Sequence, residues 1–129
     1  MTSRVLIIDD DTKLRKLLHE YLEENGFQVF SLEDGSEALP TIEKISPDIV
    51  ILDVMMPGIG GLELLRQMRR SSANMATPVL IVSVLADRET VERCRDAGAD
   101  GHLAKPVEER KLTAAVRKLL AGRGKTRIP

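Results

Sequence analysis

The sequence has a single cysteine, no tryptophan, aromatic residues at only 2%, and no long apolar run. One cysteine, Cys94, excludes an internal disulfide and a cysteine zinc cage, and the natural setting is a reducing cytoplasm. No stretch approaches the roughly 20 apolar residues of a membrane span. The start of the chain lacks the layout of a signal peptide. There is no excess of either charge: the formal net charge is −1, which gives no overall case for nucleic acid or a membrane as partner. From Lys105 onward eight basic residues face two acidic ones, an asymmetry read here as a solvated helix face.

What is present suits one soluble domain. The 129 residues are 43% apolar and 30% charged, enough to build one core and too apolar for disorder. Short apolar runs alternate with helical stripes. Val5–Ile8, Phe27–Ser31, Asp48–Leu52, Pro78–Val82 and Gly101–Ala104 read as strands. Between and after them apolar residues recur at helical spacing: Leu14, Leu18 and Leu22; Ala38, Ile42 and Ile45; Leu62, Leu65 and Met68; Val91, Cys94 and Ala97; Leu112, Val116 and Leu119. Asn25-Gly26, Ser46-Pro47, Met56-Pro57-Gly58, Gly98 and Gly122 punctuate the pattern. Pro40 falls inside the second stripe (Gly35 to Ile45), where it should kink or shorten the helix. Cys94 lies on an apolar stripe and reads as a small buried residue, not a reactive thiol. Five βα units predict a doubly wound α/β fold, a parallel sheet covered on both faces. Continuously apolar strands fit that burial.

The polar residues gather at one end of those strands. The first run ends on Asp9-Asp10-Asp11, the third on Asp53 and the fourth on Ser83, and Lys105 closely follows the fifth. Ligands of open parallel sheets bind beyond the carboxyl ends of the strands. Carboxylates, a hydroxyl and an ammonium should therefore share one crevice. Adjacent carboxylates disfavour each other's charge, and a divalent cation such as Mg²⁺ reverses that. A lysine and a serine add phosphoryl-oxygen partners. The set suits phosphoryl transfer with a carboxylate as acceptor. Asp11 has a plainer reading, as N-cap of a helix starting near Thr12.

The motifs IIDDD, ILDVMMPGIGGLELL, PVLIVS and GADGHLAKP together resemble the response-regulator receiver domain of bacterial two-component signalling, over roughly Arg4 to Ala121. The resemblance implies five parallel strands in the order 2-1-3-4-5, in a flavodoxin-like arrangement. It implies a receiver domain over residues 1–121 and a tail or linker stub over 122–129. Asp53 would accept the phosphoryl group. Asp10, Asp9, Asp53 and the backbone carbonyl of Met55 would hold Mg²⁺ or Mn²⁺. Ser83 and Lys105 would bind the phosphoryl group, and His102 would stand at the position of the aromatic switch residue. A cis bond is expected at Lys105-Pro106. The donor would be a sensor histidine kinase or a phosphotransfer protein. The face formed by helix 4, strand 5 and helix 5 would change on phosphorylation and is open to homodimerisation. Such a domain catalyses only its own aspartyl phosphorylation and dephosphorylation, in the cytoplasm, and does not itself touch membrane or nucleic acid.

Four positions depart from the family pattern. Val84 stands where Ala or Gly is usual, His102 replaces Tyr or Phe, Gly60 replaces a common Asp, and Val107 replaces a frequent Phe. Val84 could narrow access to Asp53, and His102 could make the switch respond to pH. Three other readings fit the residues less well. A haloacid-dehalogenase-type phosphatase would use Asp9 as nucleophile, but Lys13 occupies its Thr/Val position. A flavin binder would not place three aspartates at a phosphate loop. A receiver-like interaction module that works without phosphorylation would have no need of the intact set Asp9, Asp10, Asp53, Ser83 and Lys105.

Overall fold

The structure, a computed structural model, describes residues 2–55, 60–71, 74 and 76–122. The Met56-Pro57-Gly58 turn and the tail beyond Gly122 lie outside the described residues. Five strands form one parallel sheet: β1 (Arg4–Ile8), β2 (Gln28–Leu32), β3 (Ile49–Leu52), β4 (Val79–Ser83) and β5 (Gly101–Ala104). Their order is β2-β1-β3-β4-β5, as the sequence implies. Five helices follow the strands in turn: α1 (Thr12–Glu24), α2 (Ala38–Ile45), α3 (Gly61–Arg70), α4 (Arg88–Asp96) and α5 (Glu109–Ala121).

Strand alternation explains the continuous apolar runs. Leu6, Ile8, Val50, Leu52, Val79 and Ile81 pack with α2, α3 and α4 through Ala38, Ile42, Leu64, Leu65, Met68 and Cys94. Val5, Ile7, Ile49, Ile51, Leu80 and Val82 face the other way, onto α1 and α5 through Leu18, Leu22, Leu112 and Val116. Every residue of β1 after Arg4, and every residue of β3 and β4, is buried. A strand with helices on both faces has no solvent face for polar residues.

The differences from expectation are local. β2 runs Gln28–Leu32 instead of Phe27–Ser31, and β4 gains Ser83 while Pro78 falls just outside it. α2 begins at Ala38, shorter than the Gly35–Ile45 stripe as Pro40 leads one to expect, and Pro40 lies in its first turn. The first N–H groups of a helix have no intrahelical acceptor, and a proline there removes no bond. Ser46 closes α2 in the left-handed conformation, at φ 47°. Asn25 caps α1, and Gly26 follows at φ 90°, as the Asn25-Gly26 pair predicts.

Candidate functional site

The site begins where the central strands leave the sheet. Ile8 lies between Leu32 and Leu52 in register. Beyond it the Asp9 N–H donates to the Leu32 carbonyl at 3.1 Å, and the Asp53 N–H donates to the Ile8 carbonyl at 3.0 Å. Asp9 and Asp53 are thus set side by side by the last bonds of the ladder. Both are buried, at 2% and 4% exposure, whereas Asp10 and Asp11 are exposed. Asp11 is the N-cap of α1, its Oδ1 accepting from the Leu14 N–H at 3.1 Å. Its own N–H donates to Asp9 Oδ1 at 2.9 Å. Of the three consecutive aspartates, one is buried, one caps a helix, and Asp10 is left facing solvent beside the crevice.

Lys105 closes the group from the far side of β4. Ser83 pairs with Ala104, and the Lys105 N–H donates to the Ser83 carbonyl at 2.9 Å. Its Nζ then lies 3.1 Å from Asp9 Oδ2 and 3.1 Å from Asp53 Oδ2. Asp53 Oδ1 accepts from the Met55 N–H at 3.0 Å. Burial pushes the Asp9 carboxyl above its ordinary value, against the opposing pull of the Asp11 N–H and of Lys105. Burial also acts to lower Lys105, but its bonds to Asp9 and Asp53 outweigh this and hold it above its ordinary value. Two carboxylates on one ammonium leave negative charge uncompensated, and Asp10 adds more. One carboxylate oxygen from each of Asp9, Asp10 and Asp53 lies within 4.8 Å of the others. This donor set is all oxygen, without thiolate or imidazole, and fits Mg²⁺ or Mn²⁺ rather than zinc.

Other predicted residues take different places. Ser83, the last residue of β4, is fully buried, and its Oγ accepts from the Leu85 N–H at 3.1 Å. By alternation it follows Ile81 onto the α2–α3–α4 face. His102 pairs with Ile81 and belongs to the same face. The Nε2 of His102 bonds the Leu85 carbonyl at 2.8 Å, while its Nδ1 is buried without a partner. Asp9, Asp53 and Lys105 are therefore in direct contact, whereas Ser83 and His102 engage the loop after β4. Val84 and Met55 are exposed, at 65% and 53%. The Lys105-Pro106 bond is cis, and Val107 is buried in the α1–α5 side of the core.

Two residues of this neighbourhood escape the sequence reading. A Cβ on Gly61 would stand 2.5 Å from the Asp53 carbonyl oxygen, so only glycine lets α3 start against the backbone of Asp53. The doublet Gly60-Gly61 is the available signal, but it does not tell which glycine is required. Arg15 reaches back from α1, its Nη1 donating to the Asp9 carbonyl at 2.8 Å. An arginine on an amphipathic helix gives no hint of that contact.

The family profile described as the response regulator receiver domain matches residues 5–117. The chain belongs to that family. Among its relatives are the response regulator MprA of Mycolicibacterium vanbaalenii, 44% identical over 123 residues, and the DNA-binding response regulator MtrA of Mycolicibacterium smegmatis, 34% identical over 117. These matches cover 93% and 91% of this chain but 51% and 50% of the relatives; the receiver spans about half the length of the curated relatives it matches. Among solved structures, Vibrio cholerae chemotaxis protein CheY4 superposes with a TM-score of 0.88 at 29% identity, covering 92% of this chain and 99% of that one. The receiver domain of Francisella response regulator 1452 gives 0.86 at 34% identity, covering 94% and 98%. This chain is thus a response-regulator receiver domain of the two-component type, and the family is one that typically binds Mg²⁺ and works with histidine kinases.

Proposed function

We propose that the receiver accepts a phosphoryl group on Asp53 from the phosphohistidine of a sensor histidine kinase or a phosphotransfer protein. The observation that carries this reading is the contact of two buried carboxylates, Asp9 and Asp53, with one ammonium, Lys105, at the ends of the central strands. Asp9, Asp10, Asp53 and the backbone carbonyl of Met55 would hold Mg²⁺ or Mn²⁺. Bound there, the cation offsets the charge of the phosphoryl oxygens and of the crowded carboxylates. An Asp53 carboxylate oxygen attacks phosphorus, the P–N bond of the donor breaks, and its electron pair leaves with the imidazole. Lys105, already 3.1 Å from Asp53 Oδ2, is placed to pair with the phosphoryl group.

Ser83 would exchange its bond with the Leu85 N–H for one to a phosphoryl oxygen. Leu85 also holds His102, so the loop after β4 links the two switch positions to the α4–β5–α5 face. That face would be read by partners or by a second copy of the chain. Val84 would set access to Asp53, and Val84→Ala should speed phosphorylation by small donors if it does. The domain acts catalytically only on its own aspartate, in the cytoplasm, over residues 1–121, with 122–129 as tail or linker. Contact with DNA is not assigned to this domain.

Intact mass after incubation with phosphoramidate and Mg²⁺ tests the reading. One added phosphoryl group is expected, absent in Asp53→Asn and absent without metal. An adduct that survives Asp53→Asn would refute the assignment.

A further inference from the structure

The chain leaves the sheet at Asp9, and four protein groups fix the direction it takes. The backbone N–H of Asp9 is held by Leu32, and its carboxylate by the Asp11 N–H and Lys105. Its carbonyl oxygen points toward α1 and accepts from Arg15 Nη1 at 2.8 Å. Arg15 is half-buried and sits one turn into α1, where its own N–H bonds the Asp11 carbonyl at 2.9 Å. The chain from Asp9 to Arg15 is thereby closed into a ring by one side-chain bond, with Asp10 inside it. The groups that shift the Asp9 carboxyl are burial, the Asp11 N–H, Lys105 and Asp53. Arg15 meets the same residue on its backbone.

From this contact we infer that Arg15 is a positioning residue for the cation site, fixing the peptide between Asp9 and Asp10 so that both carboxylates converge beside Asp53. The inference rests on the metal-binding reading above and goes beyond it by adding a residue that touches neither cation nor phosphoryl group. Partners that orient metal ligands in this way typically change metal affinity 10- to 100-fold when removed. A charge effect would act in the opposite direction, because deleting a cation beside three aspartates favours a divalent ion. The two explanations therefore differ in sign.

The test is a Mg²⁺ titration followed by backbone amide shifts in the ¹⁵N-labelled wild-type chain, Arg15→Gln and Arg15→Lys, with urea unfolding of each metal-free protein. Glutamine and lysine have helix propensities close to that of arginine, so α1 is preserved. Arg15→Gln should bind Mg²⁺ about 10-fold more weakly, with Arg15→Lys, which keeps a long cationic donor, closer to wild type. An Arg15→Gln affinity that is unchanged or tighter overturns the inference. So does a lower urea midpoint with unchanged Mg²⁺ affinity, which is the mark of a merely structural contact. Should Arg15→Gln fail to fold, Arg15→Met, which keeps the helix propensity and removes the donor, decides by the same Mg²⁺ measurement: weaker binding supports the inference, unchanged or tighter binding overturns it. If wild type shows no Mg²⁺-dependent shifts at Asp9, Asp10 and Asp53, the metal reading itself fails, an outcome distinct from failure at Arg15.

Discussion

Among the described residues two partly buried ionic clusters lie at opposite edges of one sheet, and they are completed in different ways. At the amino edge Arg69 donates from Nε and Nη2 to the Gly98 carbonyl at 3.1 and 2.8 Å, and from Nη1 to the carbonyls of Asn74 and Thr77 at 3.1 and 2.8 Å. Its Nη2 also pairs with Asp100 Oδ2 at 3.0 Å, and that oxygen accepts from the Val79 N–H at 2.9 Å. Gly98, at φ 113° and with no room for a Cβ beside Arg69, turns its carbonyl into this bond set. One cation and one anion are matched there, and protein groups supply the rest. At the carboxyl edge two carboxylates, Asp9 and Asp53, share one ammonium, and a third, Asp10, stands beside them. A cluster that is closed within the chain serves stability. One left with surplus negative charge is stable enough to fold and still has capacity for a ligand.

That contrast can be broken experimentally. Arg69→Ala removes the cation beside Asp100 and the donors to the Gly98, Asn74 and Thr77 carbonyls, and should destabilise the domain by about 3 kcal/mol. Mg²⁺ should not restore it, as urea unfolding with and without the ion would show. Gly61→Ala forces a methyl group against the Asp53 carbonyl and should lose about 2 kcal/mol. Unlike Arg69→Ala, it should also slow phosphorylation of the folded fraction, because it moves the backbone of Asp53, the proposed acceptor. Lys105→Ala should lose about 1 kcal/mol without metal, less than Arg69→Ala because Lys105 Nζ holds two carboxylates whereas Arg69 also holds three carbonyls. Here Mg²⁺ should recover most of the loss by binding only the folded state.

Two pH experiments sharpen the comparison further. Lys105 is raised above its ordinary value of 10.5. Its stabilising contribution is therefore fully present below that value and is lost as pH rises through the raised one. Alkaline unfolding should begin earlier in Asp9→Asn, where one of the two bonds that raise Lys105 is gone. The smallest effect belongs to a cap. The bonds from Thr90 hold the Asp87 carboxyl below its ordinary value of 3.8. Its contribution is present above that value and is lost as pH falls through the lowered one. Asp87→Ala should thus weaken the start of α4 near neutral pH, with the difference from wild type vanishing in acid, measurable by amide exchange along the helix.

The parallel sheet, both helical layers and the charged group at the carboxyl edge were legible because each depends on a pattern: continuous apolar runs, helical spacing, and polar residues at successive strand ends; the strand order came only with the family resemblance. The Asp9–Asp53–Lys105 contact follows from register, which those runs define. The sequence reading did not foresee that Ser83, at the end of β4, bonds the Leu85 N–H. It also missed the contacts made through the backbone. Arg15 to Asp9, Arg69 to Gly98, and Gly61 against Asp53 all depend on where a carbonyl points, and no residue type announces that. Pro40 shortens α2, as expected, and the boundary was the uncertain part: the helix starts at Ala38, three residues later than the apolar spacing suggests.

Cys94 has a consequence outside signalling. It is the single thiol of the chain, 1% exposed under α4, where Val91, Arg95, Gly101 and His102 help line a small cavity of about 150 Å³. Burial pushes the thiol up from its ordinary value, which makes it slow to react while α4 stays in place. A thiol-reactive dye therefore reads time: each labelling event marks one opening of the seam between α4 and β5. The molecule carries its own clock at the face expected to move, and comparing its rate with and without phosphoryl donor requires no engineered probe.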